Sequence, residues 1–258
     1  IHYQHVLHIR RRLADELGTP QAQGDLAWSL NRLGDVTRDL DDPATAAMHY
    51  QQALDIFRRL ADELDTLRAR RGLARSLGCL GDVTRELGDP ATAASHYQQA
   101  LNIDRRLAEQ LNTPQAQSDL AVSLNRLGDV TRELGDPTTA AKHYQQALDI
   151  GRRLAEQLDT PSAQRELSAS LSRLGDVTRD LGDPDTALAH YQHAIDNLRR
   201  STEQIGTARA LDGLRAGLAK LARIEEELGH VDAAAALRAE LGIVSDQLAA
   251  LSDDPPRN

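Results

Sequence analysis

The chain has 258 residues, 40% of them hydrophobic but only 3% aromatic, with a single cysteine and a formal net charge of −9. An interior built from Leu and Ala, with few rings, favours close-packed helices over sheets, which need β-branched and aromatic residues. No uninterrupted apolar run reaches the roughly 18 residues of a membrane span, and 39 acidic against 30 basic residues argue against nucleic acid as the partner. Cys79 alone excludes a disulfide framework and a multi-cysteine metal site, and fits a reducing, cytoplasmic compartment.

His2-Tyr3 follows Ile1, and His-Tyr returns at Tyr50, Tyr97, Tyr144 and Tyr191, every 47 residues. Residues 1–18 therefore read as the second helix of a truncated repeat. Leu33-Gly34-Asp35-Val36 starts a second beat, repeated at Leu80, Leu127 and Leu174 with the same spacing. Residues 19–206 are thus expected to form four full repeats.

Within one period, Leu120, Leu124, Leu127, Thr131 and Leu134 fall at steps of four and three, one face of a helix, here called A. After Gly135-Asp136-Pro137, the residues Ala140, Tyr144, Ala147, Gly151, Leu154 and Leu158 keep the same rhythm in a helix B. Thr113-Pro114 and Asp136-Pro137 each offer an N-cap oxygen followed by proline at the first helical position. Gly88, Gly135 and Gly182 mark the left-handed reversal after helix A, with Asp41 in that place in the first copy. One apolar stripe per helix cannot be buried within a single pair, so the pairs are expected to stack. Residues 207–251 keep the register while losing the signature, as a capping repeat would, and residues 252–258 read as a disordered tail.

The pair Leu-Gly in helix A and Ala-x-x-x-Tyr in helix B resembles the tetratricopeptide repeat signature. It is carried by Leu33-Gly34 with Ala46 and Tyr50, Leu80-Gly81 with Ala93 and Tyr97, Leu127-Gly128 with Ala140 and Tyr144, and Leu174-Gly175 with Ala187 and Tyr191. The period exceeds the usual ~34 residues, as in an extended subclass resembling kinesin light chain and bacterial signalling arrays. The resemblance implies an all-α, right-handed solenoid of antiparallel helix pairs. It also implies a protein-interaction scaffold that holds a peptide or protein in a concave groove lined by helix A. An alternative implied by such arrays is the regulatory or sensor region of a larger signalling protein, with a nucleotidase or caspase-like effector upstream.

By that resemblance the groove positions are Trp28, Asn31, Asp35 and Arg38 in the first copy and Arg75, Gly78, Asp82 and Arg85 in the second. The third contributes Val122, Asn125, Asp129 and Arg132, and the fourth Ala169, Ser172, Asp176 and Arg179. Two readings of this Asp and Arg ladder are open. It could grip a peptide by alternating charge, with Asn holding the backbone, or Arg32, Asp35 and Arg38 could satisfy each other along their own helix. Trp28, the single Trp, is either a hot-spot anchor or a packing residue against the truncated helix B. Arg68, Arg70, Arg71 and Arg75 crowd one helix start, as a receptor for an acidic segment or as a solvated face. The histidine spacings at 2, 5 and 8 and at 190 and 193 have no recurring Cys or carboxylate beside them. There is no phosphate loop, nucleophile elbow or isolated carboxylate pair. The expectation is a non-enzymatic chain with no cofactor and no metal site, and with neither nucleic acid nor membrane as partner. Cys79, between Gly78 and Leu80, is expected to be buried filler.

Overall fold

The computed structural model describes residues 2–253, all of whose regular structure is helical. Eleven α-helices follow in chain order: α1 (His2–Leu17), α2 (Pro20–Asp39), α3 (Pro43–Leu64), α4 (Leu67–Glu86), α5 (Pro90–Leu111), α6 (Pro114–Glu133), α7 (Pro137–Leu158), α8 (Pro161–Asp180), α9 (Pro184–Ile205), α10 (Ala208–Glu227) and α11 (Val231–Asp253). Even-numbered helices are the A type and odd-numbered helices the B type. The expected tail begins at Ser252, but α11 continues through Asp253. Residues 254–258 of that tail lie outside the described residues, as do the side chains of His2 and Tyr3, with which the repeat pattern opens.

Caps account for the boundaries. Thr19, Thr66, Thr113, Thr160 and Thr207 each accept a hydrogen bond from the backbone N–H three residues on, which starts the A helices. Thr66 thereby gives α4 a defined start although Leu67 stands where α2, α6 and α8 carry proline. Asp42, Asp89, Asp136 and Asp183 cap the B helices in the same way. These aspartates are held below the usual carboxylate range, Asp42 first by the Thr45 backbone hydrogen bond and Asp89 first by the Thr92 side chain. A helices reverse through a left-handed residue, Gly88 at φ 89° and, in the first copy, Asp41 at φ 62°. B helices reverse through Asp65, Asn112 and Asp159, also left-handed, a use of Asp and Asn that glycine counting does not detect.

The chain divides into two compact units, residues 1–135 and 136–258. In the first, α2 and α4 each pack between two B helices (α1, α2 and α3; α3, α4 and α5), α6 packs against α5, and the A helices adjoin one another as α2, α4 and α6. Leu26, Leu30 and Leu33 of α2 meet Phe57 and Leu60 of α3 in one buried cluster. Tyr50 and Leu54 of α3 meet Leu77, Leu80 and Val83 of α4 in the next. The second unit repeats this, with Tyr144 and Leu148 of α7 against Leu167, Leu171 and Leu174 of α8. Its last cluster joins Tyr191 and Ile195 of α9 to Leu214, Leu218, Leu221 and Ile224 of α10 and Val244 of α11. Each fully buried Leu contributes on the order of 1.5–3 kcal/mol, so stacked leucine stripes supply the stability that a lone pair lacks.

Candidate functional site

The Leu-Gly-Asp motif and the distant Tyr form one physical unit. A Cβ on Gly34 would lie 2.5 Å from the Tyr50 ring, on Gly81 2.6 Å from Tyr97, and on Gly175 2.9 Å from Tyr191. Glycine therefore lets the ring of the following B helix lie against the A-helix backbone. The next residue takes its hydroxyl: Tyr50 donates to Asp35 Oδ1 at 2.9 Å, Tyr97 to Asp82 Oδ1 at 2.8 Å and Tyr191 to Asp176 Oδ1 at 2.6 Å. Burial, reinforced by the adjacent carboxylate, raises all three tyrosines above the ordinary phenol range. They remain neutral donors at physiological pH.

The other carboxylate oxygen faces the next repeat. Arg126 meets Asp82 Oδ2 at 2.7 Å and Lys220 meets Asp176 Oδ2 at 2.6 Å, each 44 residues on. The same step from Asp35 arrives at Cys79, which carries no charge, and Arg75 reaches Asp35 Oδ2 instead at 2.8 Å. Burial would lower Arg126, but its acidic surroundings, Asp82 foremost with Cys79 and Tyr97, together outweigh it and the guanidinium is held above its usual value. Gly78 gives it passage, since a Cβ there would lie 2.5 Å from Arg126 Nη1.

The arginines of the ladder follow a second rule. Arg38 Nε donates to Glu86 Oε1 at 2.8 Å, Arg85 lies 3.9 Å from Glu133 and Arg179 lies 3.6 Å from Glu227. The hydrogen bond to Glu86 is the main cause that raises Arg38, burial acting against it. These pairs of the ladder therefore run between neighbouring A helices, and of the two open readings the one that pairs Asp35 and Arg38 along their own helix is corrected: their partners are Arg75 and Glu86. Residues three apart on a helix lie about 5–6 Å apart at Cβ, whereas the adjoining A helix offers oppositely charged ends at bonding distance.

The remaining predicted positions divide by exposure. Asn31 is fully buried, donates to Ser76 Oγ at 2.9 Å and accepts from the same hydroxyl at 3.1 Å, so its amide joins repeats and faces no ligand. In the second copy Gly78 holds that place, and Ser123 donates instead to buried Asp104 at 2.5 Å. Asn125, Asp129 and Arg132 on α6 are half-buried and engaged in interactions. Ser172 and Ala169 are half-buried, and Val122 is exposed. Trp28 is half-buried with its ring edge-to-face on Phe57 of α3, centroids 5.3 Å apart, within the cluster that also holds Leu7 and Ala14 of α1.

The basic helix start is neutralised. Arg68 pairs with Asp25, Arg70 with Asp65, Arg71 with Asp119 and Arg75 with Asp35. Of the two readings of this run, a receptor for an acidic segment and a solvated face, the pairs favour the solvated face. Cys79 is buried, and desolvation pushes its thiol up to about 11, so it stays protonated and unreactive. Among the described residues no cluster of three metal-capable side chains occurs, and no helix is long and apolar enough to cross a membrane.

Sequence reasoning missed Glu86, Glu133, Glu227 and Lys220. The available signal was the period itself, since Arg38, Arg85 and Arg179 each have a glutamate 48 residues on.

A tetratricopeptide repeat family model matches residues 25–106 and again 74–153. The chain belongs to the tetratricopeptide repeat family. A search of curated proteins found no matching relative. Among solved structures, BtubC (BKLC) from P. vanneervenii superposes with a TM-score of 0.73 at 20% identity, covering 99% of this chain and 92% of that one. A variant form of the nearly identical TPR-like repeats of a kinesin light chain candidate from Podosopora anserina gives 0.60 at 18% identity, covering 86% and 95%. The apo form of RapI gives 0.56 at 14% identity, covering 86% and 84%. These likenesses concern the fold. Tetratricopeptide repeats generally serve as protein-interaction scaffolds, and this chain has that architecture in both units.

Proposed function

We propose that the chain is a non-enzymatic, cytoplasmic scaffold that holds a peptide or protein on the A-helix walls of its units. The observation that carries this reading is the adjacency of α2, α4 and α6, and of α8 and α10. On these walls the charges are arranged in pairs that still present exposed edges. Arg75 and Asp35 keep 43% and 31% of their side chains exposed, and Arg38 and Glu86 keep 36% each. Such a surface has little net charge, so it offers no general pull on a polyanion. It suits a ligand of mixed charge whose own donors and acceptors meet the outer lone pairs and N–H groups of pairs already formed. Half-buried Trp28 and exposed Val122 add apolar contact on the first unit's wall.

The wall residues of this reading are Trp28, Asp35, Arg38, Arg75, Asp82, Arg85, Asn125, Asp129 and Arg132 in the first unit and Ser172, Asp176 and Arg179 in the second. Photo-crosslinking tests it. Benzoylphenylalanine placed at Val122 or Ala169 should capture a discrete partner, identified by mass spectrometry, while the same residue at exposed Gln99 or Gln146 on B helices should not. Capture from the B positions alone would overturn the assignment.

A further inference from the structure

The B helices are aliphatic at two register positions one turn apart, with Ile56, Ile103, Ile150 and Val244 at the first and Leu60, Leu107, Leu154 and Leu248 at the second. Only α9 departs from this, carrying Asn197 and Ser201. Both are buried, at 7% and 1% exposure. Ser201 Oγ has no hydrogen-bond partner among the described residues. Asn197 Oδ1 accepts from Arg200 Nη2 at 2.5 Å, and its side chain makes no other hydrogen bond among the described residues, which leaves the amide N–H groups unused. A buried polar group without a partner costs stability, so a polar pair in place of two aliphatic residues needs a compensating ligand. A cavity of about 210 Å³ opens at Asn197, between α7, α8 and α9 of the second unit. Its floor is apolar, made by Leu167 and Leu171 of α8. Arg152 of α7 stands on one side, and His193, Asp196 and Arg200 of α9 on the other.

The charges around the cavity do not cancel. Arg152 forms no ion pair among the described residues, and Arg200 bonds only neutral Asn197 and the backbone of Asp196. Asp196 meets Arg199 at 3.4 Å, and Arg199 is shared with Glu240 at 2.6 Å. Three arginines against two carboxylates leave one positive charge to be balanced. We propose that this cavity binds a small aliphatic monocarboxylate. Its carboxylate accepts from the Asn197 amide and the guanidinium groups of Arg152 and Arg200, charge-assisted bonds that suit arginine. Its short hydrocarbon part lies on Leu167 and Leu171. A phosphate or dicarboxylate would bring excess negative charge beside Asp196 and leave the leucine floor unused. Drug-sized ligands occupy roughly 300–1,000 Å³, so this smaller cavity fits a molecule of a few carbon atoms. The polar groups of the site belong to B helices, which makes this inference independent of the A-wall reading.

The probe is isovalerate, titrated into the full chain by isothermal calorimetry beside isovaleramide, its neutral counterpart of the same shape, and inorganic phosphate. Saturable binding of isovalerate is expected, with a dissociation constant on the order of 1 mM or below, and none of the amide. Arg152→Gln and Arg200→Gln should each weaken it about tenfold, while Arg153→Gln, an exposed neighbour outside the cavity, should leave it unchanged. Asn197→Ile, which restores the residue of the other repeats, should abolish binding. Because Arg152 and Arg200 are exposed, unchanged circular dichroism checks that their variants fold. The proposal is overturned by the absence of saturable heat up to about 10 mM, by equal binding of isovaleramide or of phosphate, or by indifference to Asn197→Ile. It is also overturned if a hexapeptide ending in a leucine carboxylate binds more tightly than isovalerate and loses that binding in Arg152→Gln, which would place the carboxylate on a polypeptide.

Discussion

Asp82 is the residue on which the account of stacking is most exposed to test. Its carboxylate accepts from Tyr97 on the following B helix and from Arg126 on the next A helix, and Arg38 of the previous A helix approaches at 3.5 Å. Its side chain is 14% exposed and that of Arg126 28%, so solvent screens the pair only in part. Asp82→Asn preserves volume and a hydrogen-bond acceptor while removing the charge. It should cost about 2–3 kcal/mol, because a charge-assisted bond becomes neutral and Arg126 is left without its counter-ion. The informative quantity is the coupling in the cycle Asp82→Asn, Arg126→Gln and the double variant, read from urea unfolding by circular dichroism. It should be about 1–3 kcal/mol and survive roughly 0.5 M salt. The control is Asp212 and Arg215, 2.8 Å apart on one helix with side chains 59% and 46% exposed, where coupling should be only about 0.2–0.5 kcal/mol. If the two cycles give equal coupling, the Asp82 site is an ordinary surface pair and the inter-repeat reasoning fails.

Three further outcomes are expected. Gly81→Ala should destabilise by about 1–3 kcal/mol through collision with Tyr97, while Gly24→Ala, whose Cβ meets Leu60 at 3.8 Å, should stabilise by up to about 1 kcal/mol; thermal midpoints moving in the same direction would contradict the close-approach argument. Asp104 is buried, and desolvation raises its carboxyl to about 6. The folded state therefore holds this proton more tightly than the unfolded chain, and the associated stability is complete below the ordinary pKa of about 4 and lost as pH rises through about 6. Asp104→Asn should raise stability to urea at about pH 7.5, by up to about 3 kcal/mol, and leave it nearly unchanged at about pH 4. His49, His96 and His190 have the opposite sign, since burial lowers each below its usual value. Their contribution is complete above about 6.5 and is lost as pH falls below it, so His96→Gln should reduce the loss of stability between about pH 7 and pH 5.

The residues differ in how far their roles could be read in advance. Helix starts were legible because a Thr or Asp before a helix has one common use, and the leucine stripes were legible because burial imposes the helical period. Tyr97 could be placed in the core from its regular recurrence. Its bond to Asp82 could not, since the motif shows only that Gly, Asp and Tyr recur, and the reason emerges when the ring is seen lying on the glycine. The reading of the ladder as pairs along one helix failed for a related reason. Periodicity along one helix displays partners three and four residues away, whereas Arg38 and Glu86 are brought together by the adjoining helix. Asn31 was placed on the ligand face because its register position suggested it. Its burial depends on Ser76, a residue of the next repeat.

The most direct measurement of the central claim is hydrogen–deuterium exchange of the full chain, alone and with the partner identified by crosslinking. The account predicts that added protection falls on α2, α4 and α6 or on α8 and α10, with the outer faces of α3, α5, α7 and α9 unchanged. Protection concentrated on those B helices, with the A helices unaffected, would contradict it.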